Sequence, residues 1–299
     1  MKNLIHRRSF LQGVLGATGA AVLARSGRAA PSAPVTPANP GFKIFACDWT
    51  LKKTSDPASF ELARGIGLDG VQVDFGKVAE GASRPPLFDP AHQDKILEAS
   101  ARHGVAISSF ALGVLNNIPY KNEAATEQWV LDSVGVMQRM KIGVTLLAFF
   151  GKGDLVGDAA GVEEVIRRLK VLAPRAEAAG VVYGVESYLK VEELERILDA
   201  VKSPAIKVYY DVGNMQKVGE FASGAIRRLG RERICEIHLK DLDDLYGKGS
   251  INFPGVRLAL DDIGYRGWLG IEGVKTPLGV EPSIRYDLDY LRPIFPKSV

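Results

Sequence analysis

The sequence predicts a single (β/α)8 barrel, and three observations lead to that fold class. Short β-rich runs recur about every thirty residues, and each is followed by a longer stretch in which apolar residues return every three to four positions. There are eight such runs, and strands that alternate with helices are parallel strands that can close into a barrel. The alternative is an open doubly wound sheet, whose nucleotide-binding members carry a glycine-rich turn after an early strand. Neither GxGxxG nor a Walker-type loop follows any of the eight runs, so we favour the barrel.

The eight predicted strands are short and rich in Val, Ile, Leu, Phe or Tyr. Cys47 and Cys235 lie in the first and the seventh, where we expect small buried thiols and no structural disulfide, because two cysteines are too few for a disulfide scaffold. In chain order the strands are FKIFACD (42–48), GVQVDF (70–75), VAISSFAL (105–112), VTLLAFF (144–150), VVYGVES (181–187), IKVYYD (206–211), ICEIHLK (234–240) and WLGIEG (268–273).

The segments between the strands predict amphipathic helices, because Ile, Leu, Val and Ala return with helical spacing. Several helical patterns end in a glycine just before the next strand, and we expect Gly104, Gly143 and Gly180 to be left-handed helix caps. The clearest helical patterns are AHQDKILEASARHG (91–104), EEVIRRLKVLAPRAEAAG (163–180) and VEELERILDAVK (191–202).

The first thirty residues resemble a twin-arginine export signal rather than part of a fold. Arg7 and Arg8 precede the weakly apolar GVLGATGAAVLA, and a small-residue cleavage site follows near Ala29. A chance basic pair before a membrane anchor is the alternative, but this stretch is too short and too rich in Gly and Ala to span a bilayer comfortably. We therefore expect export by the twin-arginine translocase to the periplasm or another extracytoplasmic space. The predicted organisation is an export signal at 1–30, a Pro-rich linker at 31–41 and a catalytic barrel at 42–299.

Charge excludes nucleic acid as a partner once the leader is set aside. The whole chain has 38 basic and 35 acidic residues, a formal net charge of +3. The leader holds five of the basic residues and no acid, so the remainder has 33 basic against 35 acidic residues, a net charge of −2. The mature protein therefore lacks the electrostatic surplus that binding to nucleic acid requires. The five are Lys2, Arg7, Arg8, Arg25 and Arg28.

Four consecutive predicted strands end in side chains that can bind a metal ion. Glu186, Asp211, His238 and Glu272 stand at the ends of strands five to eight, and barrel enzymes place their chemistry at that rim. Three carboxylates brought together at a barrel mouth repel one another unless a cation neutralises them. A lone core histidine is more often satisfied by a backbone carbonyl, but three acids on adjoining strands favour a metal site here. Mn²⁺ or Mg²⁺ suits this oxygen-rich set best, and Co²⁺ or Zn²⁺ is possible because one ligand is nitrogen.

The strand ends VES, YDVGN, IHLKD and IEG, in that order, resemble the xylose-isomerase-like TIM-barrel superfamily of sugar isomerases and epimerases. The resemblance extends to YGKGSINFPGVRLALDDIGYRGWLGIEG (246–273), which is similar to the family's glycine-rich loop, helix and last strand. It implies that the four strand-end residues hold a divalent metal. Two positions depart from the common pattern: Tyr188 stands where many members have histidine, and Asn252 where aspartate is common. Both bear on the substrate more than on the metal, and Tyr188 becomes a candidate for substrate binding.

Further polar residues near the same rim are candidates for contact with substrate. Lys240 has the strand parity of His238 and could polarise or position a substrate oxygen, or it could simply pair with Asp241. Asn214 could contact the substrate or the waters of the metal, and it could also be a turn residue beside Gly213.

The first four strands end in residues that could form an apolar wall for the faces of a sugar ring. Packing between loops is the alternative for the aromatic members. These residues are Trp49, Asp74, Phe110, Phe149 and Phe150.

Two glutamates on one metal predict removal of a proton next to a metal-polarised carbonyl, with an enediolate intermediate. The resemblance implies that Glu186 and Glu272 exchange the proton, and we therefore expect a metal-dependent isomerase or epimerase acting on a sugar or keto-sugar. The first alternative is a lyase or hydratase that uses the same enolate chemistry on 3-keto-glycosides, and the second is a non-catalytic sugar-binding barrel. An abasic-site endonuclease of the barrel type needs a histidine-rich zinc cluster. Beyond the leader the chain has only His92, His103 and His238, so we exclude this class of enzyme.

Overall fold

In the computed structural model, which describes residues 41–242, 244–273 and 275–297, eight parallel strands close into one barrel. Each strand pairs with the next along the chain, and the last pairs with the first. The predicted (β/α)8 fold is thereby confirmed, with strand ends that differ from the predicted runs by no more than two residues. The leader at 1–30 and most of the linker lie outside the described residues. The strands are β1 (Lys43–Cys47), β2 (Gly70–Asp74), β3 (Ala106–Leu112), β4 (Val144–Phe149), β5 (Val182–Ser187), β6 (Ile206–Asp211), β7 (Ile234–Leu239) and β8 (Trp268–Ile271).

Helices follow every strand and cover the outside of the barrel. Two of them follow β6, and short 3-10 turns lie in the connections after β2, β3 and β4. Among the described residues no helix combines the length and the apolar character that crossing a membrane requires. The helices are α1 (Ala58–Ile66), α2 (Pro90–His103), α3 (Ala124–Met140), α4 (Ala159–Ala179), α5 (Val191–Val201), α6 (Val212–Lys217), α7 (Ala222–Arg233), α8 (Phe253–Asp262) and α9 (Val280–Leu291).

Two of the three predicted glycine caps are confirmed, and the third is wrong. Gly104 and Gly180 follow α2 and α4 with φ of 62° and 67°, the left-handed conformation that glycine adopts without a steric penalty. After α3 the left-handed residue is Lys141, with φ of 57°, because the helix stops at Met140 and the cap must come directly after it. Gly143 lies two residues further on, where its carbonyl accepts a hydrogen bond from Val182.

The strands have two buried faces, and their inner face forms a separate small cluster. Inside the barrel Phe45, Ala111, Leu146, Ala148 and Tyr209 pack together, whereas the outward side chains join the large core beneath the helices. This alternation follows from the period of two along a strand. It decides which strand-end residues can reach the mouth of the barrel.

Both cysteines are free thiols. Cys47 is buried in β1, where its Sγ lies 3.3 Å from Gln72 Oε1, and Cys235 Sγ lies 3.3 Å from the carbonyl oxygen of Val208. Burial raises the pKa of each thiol above its ordinary value, so neither is a thiolate at neutral pH.

Candidate active site

Glu186, Asp211, His238 and Glu272 converge at the carboxyl-terminal end of the barrel. The first three lie at or next to the last residues of β5, β6 and β7, and Glu272 directly follows β8. Each side chain offers one ligand atom, and the four atoms lie within 4.8 Å of one another. The four residues that the sequence singled out are therefore brought to one point in space by four successive strands.

Local contacts hold the four side chains in place. Asp211 caps α6 by accepting a hydrogen bond from the backbone N–H of Asn214 at 2.7 Å through Oδ1, which leaves Oδ2 directed elsewhere. Asn214 Nδ2 donates to Glu186 Oε1 at 3.3 Å, and His238 Nδ1 lies 3.1 Å from the same oxygen. Trp49 Nε1 donates to Glu272 Oε1 at 3.1 Å. Each carboxylate thus has one oxygen fixed by the protein.

The remaining oxygens of this cluster fit a divalent cation. Asp211 Oδ2 and Glu272 Oε2 are buried without a hydrogen bond, and their charge is offset by ion pairs with Lys240 Nζ at 3.0 and 2.5 Å. Burial raises the pKa of Asp211 to about 7, against the opposing charge of Lys240. Such a site disfavours three ionised acids unless a cation joins them. Three carboxylate oxygens and one imidazole nitrogen are a donor set for Mn²⁺ or Mg²⁺.

Glu272 differs from Asp211 in its electrostatic surroundings. Burial alone would raise its pKa, but the charges of Lys240 and His238 and the hydrogen bond from Trp49 lower it to about 2. Glu272 is therefore ionised at neutral pH in this structure. A carboxylate held ionised beside a cavity can accept a proton from a bound molecule.

Gln72 is a functional candidate that the sequence reasoning missed. Gln72 is a buried residue of β2, and its Oε1 lies 2.8 Å from Nε2 of His238. The side-chain amide nitrogen of Gln72 donates hydrogen bonds to the hydroxyl groups of Tyr209 at 2.9 Å and Ser109 at 3.1 Å. Because the amide oxygen can only accept, Nε2 of the imidazole carries a proton, and Nδ1 is the nitrogen that would bind a metal ion in the cluster. The available signal was a polar residue at an inward position of an apolar strand. Tyr209 and Ser109 in turn donate to Glu236, which completes a buried network beneath the site.

Lys240 and Asn214 both belong to the cluster. Lys240 Nζ lies between Asp211 and Glu272 and donates to Asn214 Oδ1 at 3.2 Å. The alternative that Lys240 pairs with Asp241 is wrong, because the Asp241 carboxylate is buried and accepts backbone N–H groups of the loop after β7.

A cavity of about 510 Å³ opens above the cluster, with Glu186 and Glu272 in its wall. Of the residues predicted to contact substrate, Trp49, Asp74 and Phe150 line it. Burial raises the pKa of Asp74 to about 6, and its two oxygens accept the N–H groups of the loops after β2 and β3.

Phe110 and Phe149 do not line this cavity, and for them the predicted contact with substrate is wrong. Both are fully buried members of the core beneath the helices, where Phe110 packs on Phe75 and Phe149 on Tyr120. They occupy outward positions of β3 and β4, next to the inward Ala111 and Ala148.

Tyr188 lies behind the cavity wall. Its ring packs on Phe150 with centroids 4.8 Å apart, and its hydroxyl accepts a hydrogen bond from Lys217 at 3.1 Å. Tyr188 therefore supports a wall residue, and Phe150 separates it from the lining of the cavity.

A family model described as the xylose isomerase-like TIM barrel matches residues 60–294. The chain belongs to this family. Solved structures similar to this chain include D-psicose 3-epimerase from Clostridium cellulolyticum H10, with a TM-score of 0.69 at 16% identity over 85% of this chain and 99% of that one. The 3-keto-D-glucoside 4-epimerase from E. coli has a TM-score of 0.68 at 14% identity and covers 84% and 99%. Likeness at this level of identity establishes the shared fold.

Among curated relatives of this xylose isomerase-like chain is the 2-epi-5-epi-valiolone 7-phosphate 2-epimerase of Actinoplanes sp. The two are 28% identical over 201 residues, which cover 67% of this chain and 72% of the relative. Together these comparisons support the enzyme class predicted from the sequence, a sugar isomerase or epimerase.

Proposed function

We propose that this protein is a divalent-metal-dependent epimerase or isomerase of a keto-sugar. The observation that carries the proposal is the convergence of Glu186, Asp211, His238 and Glu272 within 4.8 Å beside a cavity of about 510 Å³. A site that only binds sugar has no need for three buried acids around one point. Mn²⁺ or Mg²⁺ would be held by these four side chains, and when bound it would act as a Lewis acid on a substrate carbonyl.

Glu186 and Glu272 are the proposed acid and base. They come from β5 and from the end of β8, three strands apart around the barrel, so they approach a bound sugar from different sides. One takes the proton from the carbon next to the carbonyl, and the other returns a proton, which gives epimerisation when the two act on opposite faces. Trp49 orients Glu272 through its hydrogen bond and presents its ring to the cavity. Lys240 and Asn214 lie outside the cavity lining and position the carboxylates that they contact.

Deuterium incorporation tests the proposal. A keto-sugar incubated in D₂O with the Mn²⁺-loaded protein should gain deuterium at the carbon next to its carbonyl. Mass spectrometry and NMR measure this incorporation. Loss of a substituent from that sugar would identify the lyase alternative. If a screen of ketoses and 3-keto-glycosides shows neither deuterium exchange nor conversion of any sugar, the result would instead support a non-catalytic sugar-binding barrel.

We also propose that the protein acts outside the cytoplasm after export by the twin-arginine route. Arg7 and Arg8 ahead of a weakly apolar stretch support this proposal. A reporter fused after residue 35 should reach the periplasm, and Arg7→Lys with Arg8→Lys should keep it in the cytoplasm. Export that is unchanged in the double variant, or that continues without the twin-arginine translocase, contradicts the proposal.

A further inference from the structure

The cavity above the carboxylates has an apolar outer wall. Val78, Val114 and Ile118 lie on the loops that follow β2 and β3, beyond the ends of the strands, and Phe150 continues this surface from the end of β4. A volume of about 510 Å³ falls within the roughly 300 to 1,000 Å³ that accommodates drug-sized ligands. The cavity therefore has room for a group attached to the sugar ring, and its wall offers that group apolar contacts.

Charge in the cavity is unfavourable for a phosphorylated sugar. Among the described lining residues Lys77 is the sole cation, against the carboxyl groups of Asp74, Glu186 and Glu272. Phosphate sites in proteins use several cationic side chains or a cluster of backbone N–H groups. With Glu186 and Glu272 assigned to the proposed metal ion, the one exposed lysine, Lys77, does not by itself provide such a site.

Three backbone N–H groups around the mouth already donate hydrogen bonds to side chains of the protein itself. The carboxylate of Asp74 accepts those of Gly76 and Gly113 at 2.7 and 2.8 Å. The amide oxygen of Asn116 accepts that of Phe150 at 2.9 Å.

Many barrels bind phosphate at the loops after strands seven and eight. In the loop after β7 of this protein, backbone N–H groups donate hydrogen bonds to a carboxylate of the protein itself. The Asp241 carboxylate accepts the N–H groups of Gly247, Gly249 and Ile251 at 3.0 to 3.1 Å. Asn252 caps α8 by accepting the N–H of Gly255 at 3.0 Å. A buried carboxylate thus occupies the position where a phosphate would find its donors.

We propose that the substrate is an uncharged keto-sugar that carries an apolar substituent, and that Val78, Val114, Ile118 and Phe150 bind this substituent. The proposal rests on the proposed function for the position of the sugar ring at the carboxylates. It departs from the phosphorylated sugar named for the Actinoplanes relative. Trp49 and Phe150 supply aromatic faces on which the sugar and its substituent can pack.

Calorimetric binding of three probes to the Mn²⁺-loaded protein tests this inference. The probes are methyl β-D-glucoside, octyl β-D-glucoside below its micellar concentration, and D-glucose 6-phosphate. We expect the octyl glucoside to bind at least about 10-fold more tightly than the methyl glucoside, since even one methylene can provide that factor in an apolar site. The phosphate should bind no more tightly than the methyl glucoside.

A double variant and a control variant test whether the preference for octyl glucoside arises at the outer wall. Val78→Ser combined with Ile118→Ser should lower the octyl-to-methyl affinity ratio by about 5-fold or more, because apolar contact area is lost. Val156→Ser changes a 56% exposed valine outside the cavity and should leave the ratio unchanged.

Several outcomes overturn the inference: equal affinity for the two glucosides, no detectable binding of the octyl glucoside, tighter binding of the phosphate, or a ratio that the double variant does not alter. Failure of the proposed function has a different signature, because it abolishes deuterium exchange with every keto-sugar and leaves this binding preference intact.

Discussion

Glu186→Gln and Glu272→Gln should each lower turnover of the keto-sugar substrate by about 10²-fold or more. Glutamine keeps the shape of the side chain and one oxygen for the metal, but it cannot accept a proton, and losing a general base typically costs about 10²- to 10⁴-fold. Glu186 and Glu272 both line the cavity, so either can reach a bound sugar. The measurement is steady-state turnover together with deuterium exchange, on protein whose Mn²⁺ content equals that of the wild type.

Glu232→Gln is the matched control for these two variants. Glu232 is an exposed glutamate in the last turn of α7, just before β7 begins, at the opposite end of the barrel from the cluster. It should retain wild-type turnover. Wild-type rates in both site variants with metal retained would show that the acid and base are assigned wrongly, and Lys240, which contacts both Asp211 and Glu272, would then be tested next.

His238→Ala should lower affinity for Mn²⁺ by more than about 100-fold, and Gln72→Leu should lower it by about 10- to 100-fold. The first change removes a ligand nitrogen, whereas the second removes the partner that fixes the protonation of the imidazole at Nε2. The expected order of the two losses follows from this difference in role. Titration calorimetry with Mn²⁺, supported by metal analysis of the purified proteins, measures both.

His103→Ala serves as the control for this series, since His103 lies in the last turn of α2, away from the cluster. It should bind Mn²⁺ as the wild type does. If the variant that replaces Glu186, Asp211, His238 and Glu272 together by alanine still holds one ion per chain, the metal site lies elsewhere. Equal losses in the Gln72 and His238 variants would contradict the supporting role of Gln72.

Much of the fold follows from local pattern and chain order. Eight β-rich runs alternating with helical stretches leave few topologies open, and the number of runs together with the absence of a nucleotide-binding glycine-rich turn favours the barrel over an open sheet. The four strand-end residues follow from the same reasoning, because parallel strands deliver their carboxyl ends to one rim. Helix ends were less certain: Lys141 rather than Gly143 takes the left-handed conformation, since the last helical residue sets that position.

Strand parity was the main point that sequence reasoning could not resolve. A strand buried on both faces need not alternate between apolar and polar residues, so AISSFAL and VTLLAF do not reveal whether their phenylalanine faces inward. A register shift between β2 and β3, at Val71 and Val73, adds to the ambiguity. Phe110 and Phe149 were therefore assigned to the substrate, and the closed barrel places them beneath the helices.

The barrel, the family and the convergence of four strand-end residues all follow from the sequence, because each depends on periodicity or on the order of strand ends. Only the tertiary structure decided which groups support and surround them. Gln72 and His238 are 166 residues apart, and no local pattern predicts that an amide from one strand fixes the imidazole of another. The carboxylates of Asp74 and Asp241 accept hydrogen bonds from loop N–H groups, and these bonds likewise depend on how the loops fold back on the strand ends. The bonds of Gln72 to His238 and of Asp74 to Gly113 join segments that the closed barrel brings together, and for that reason they carry no periodic signal in the chain.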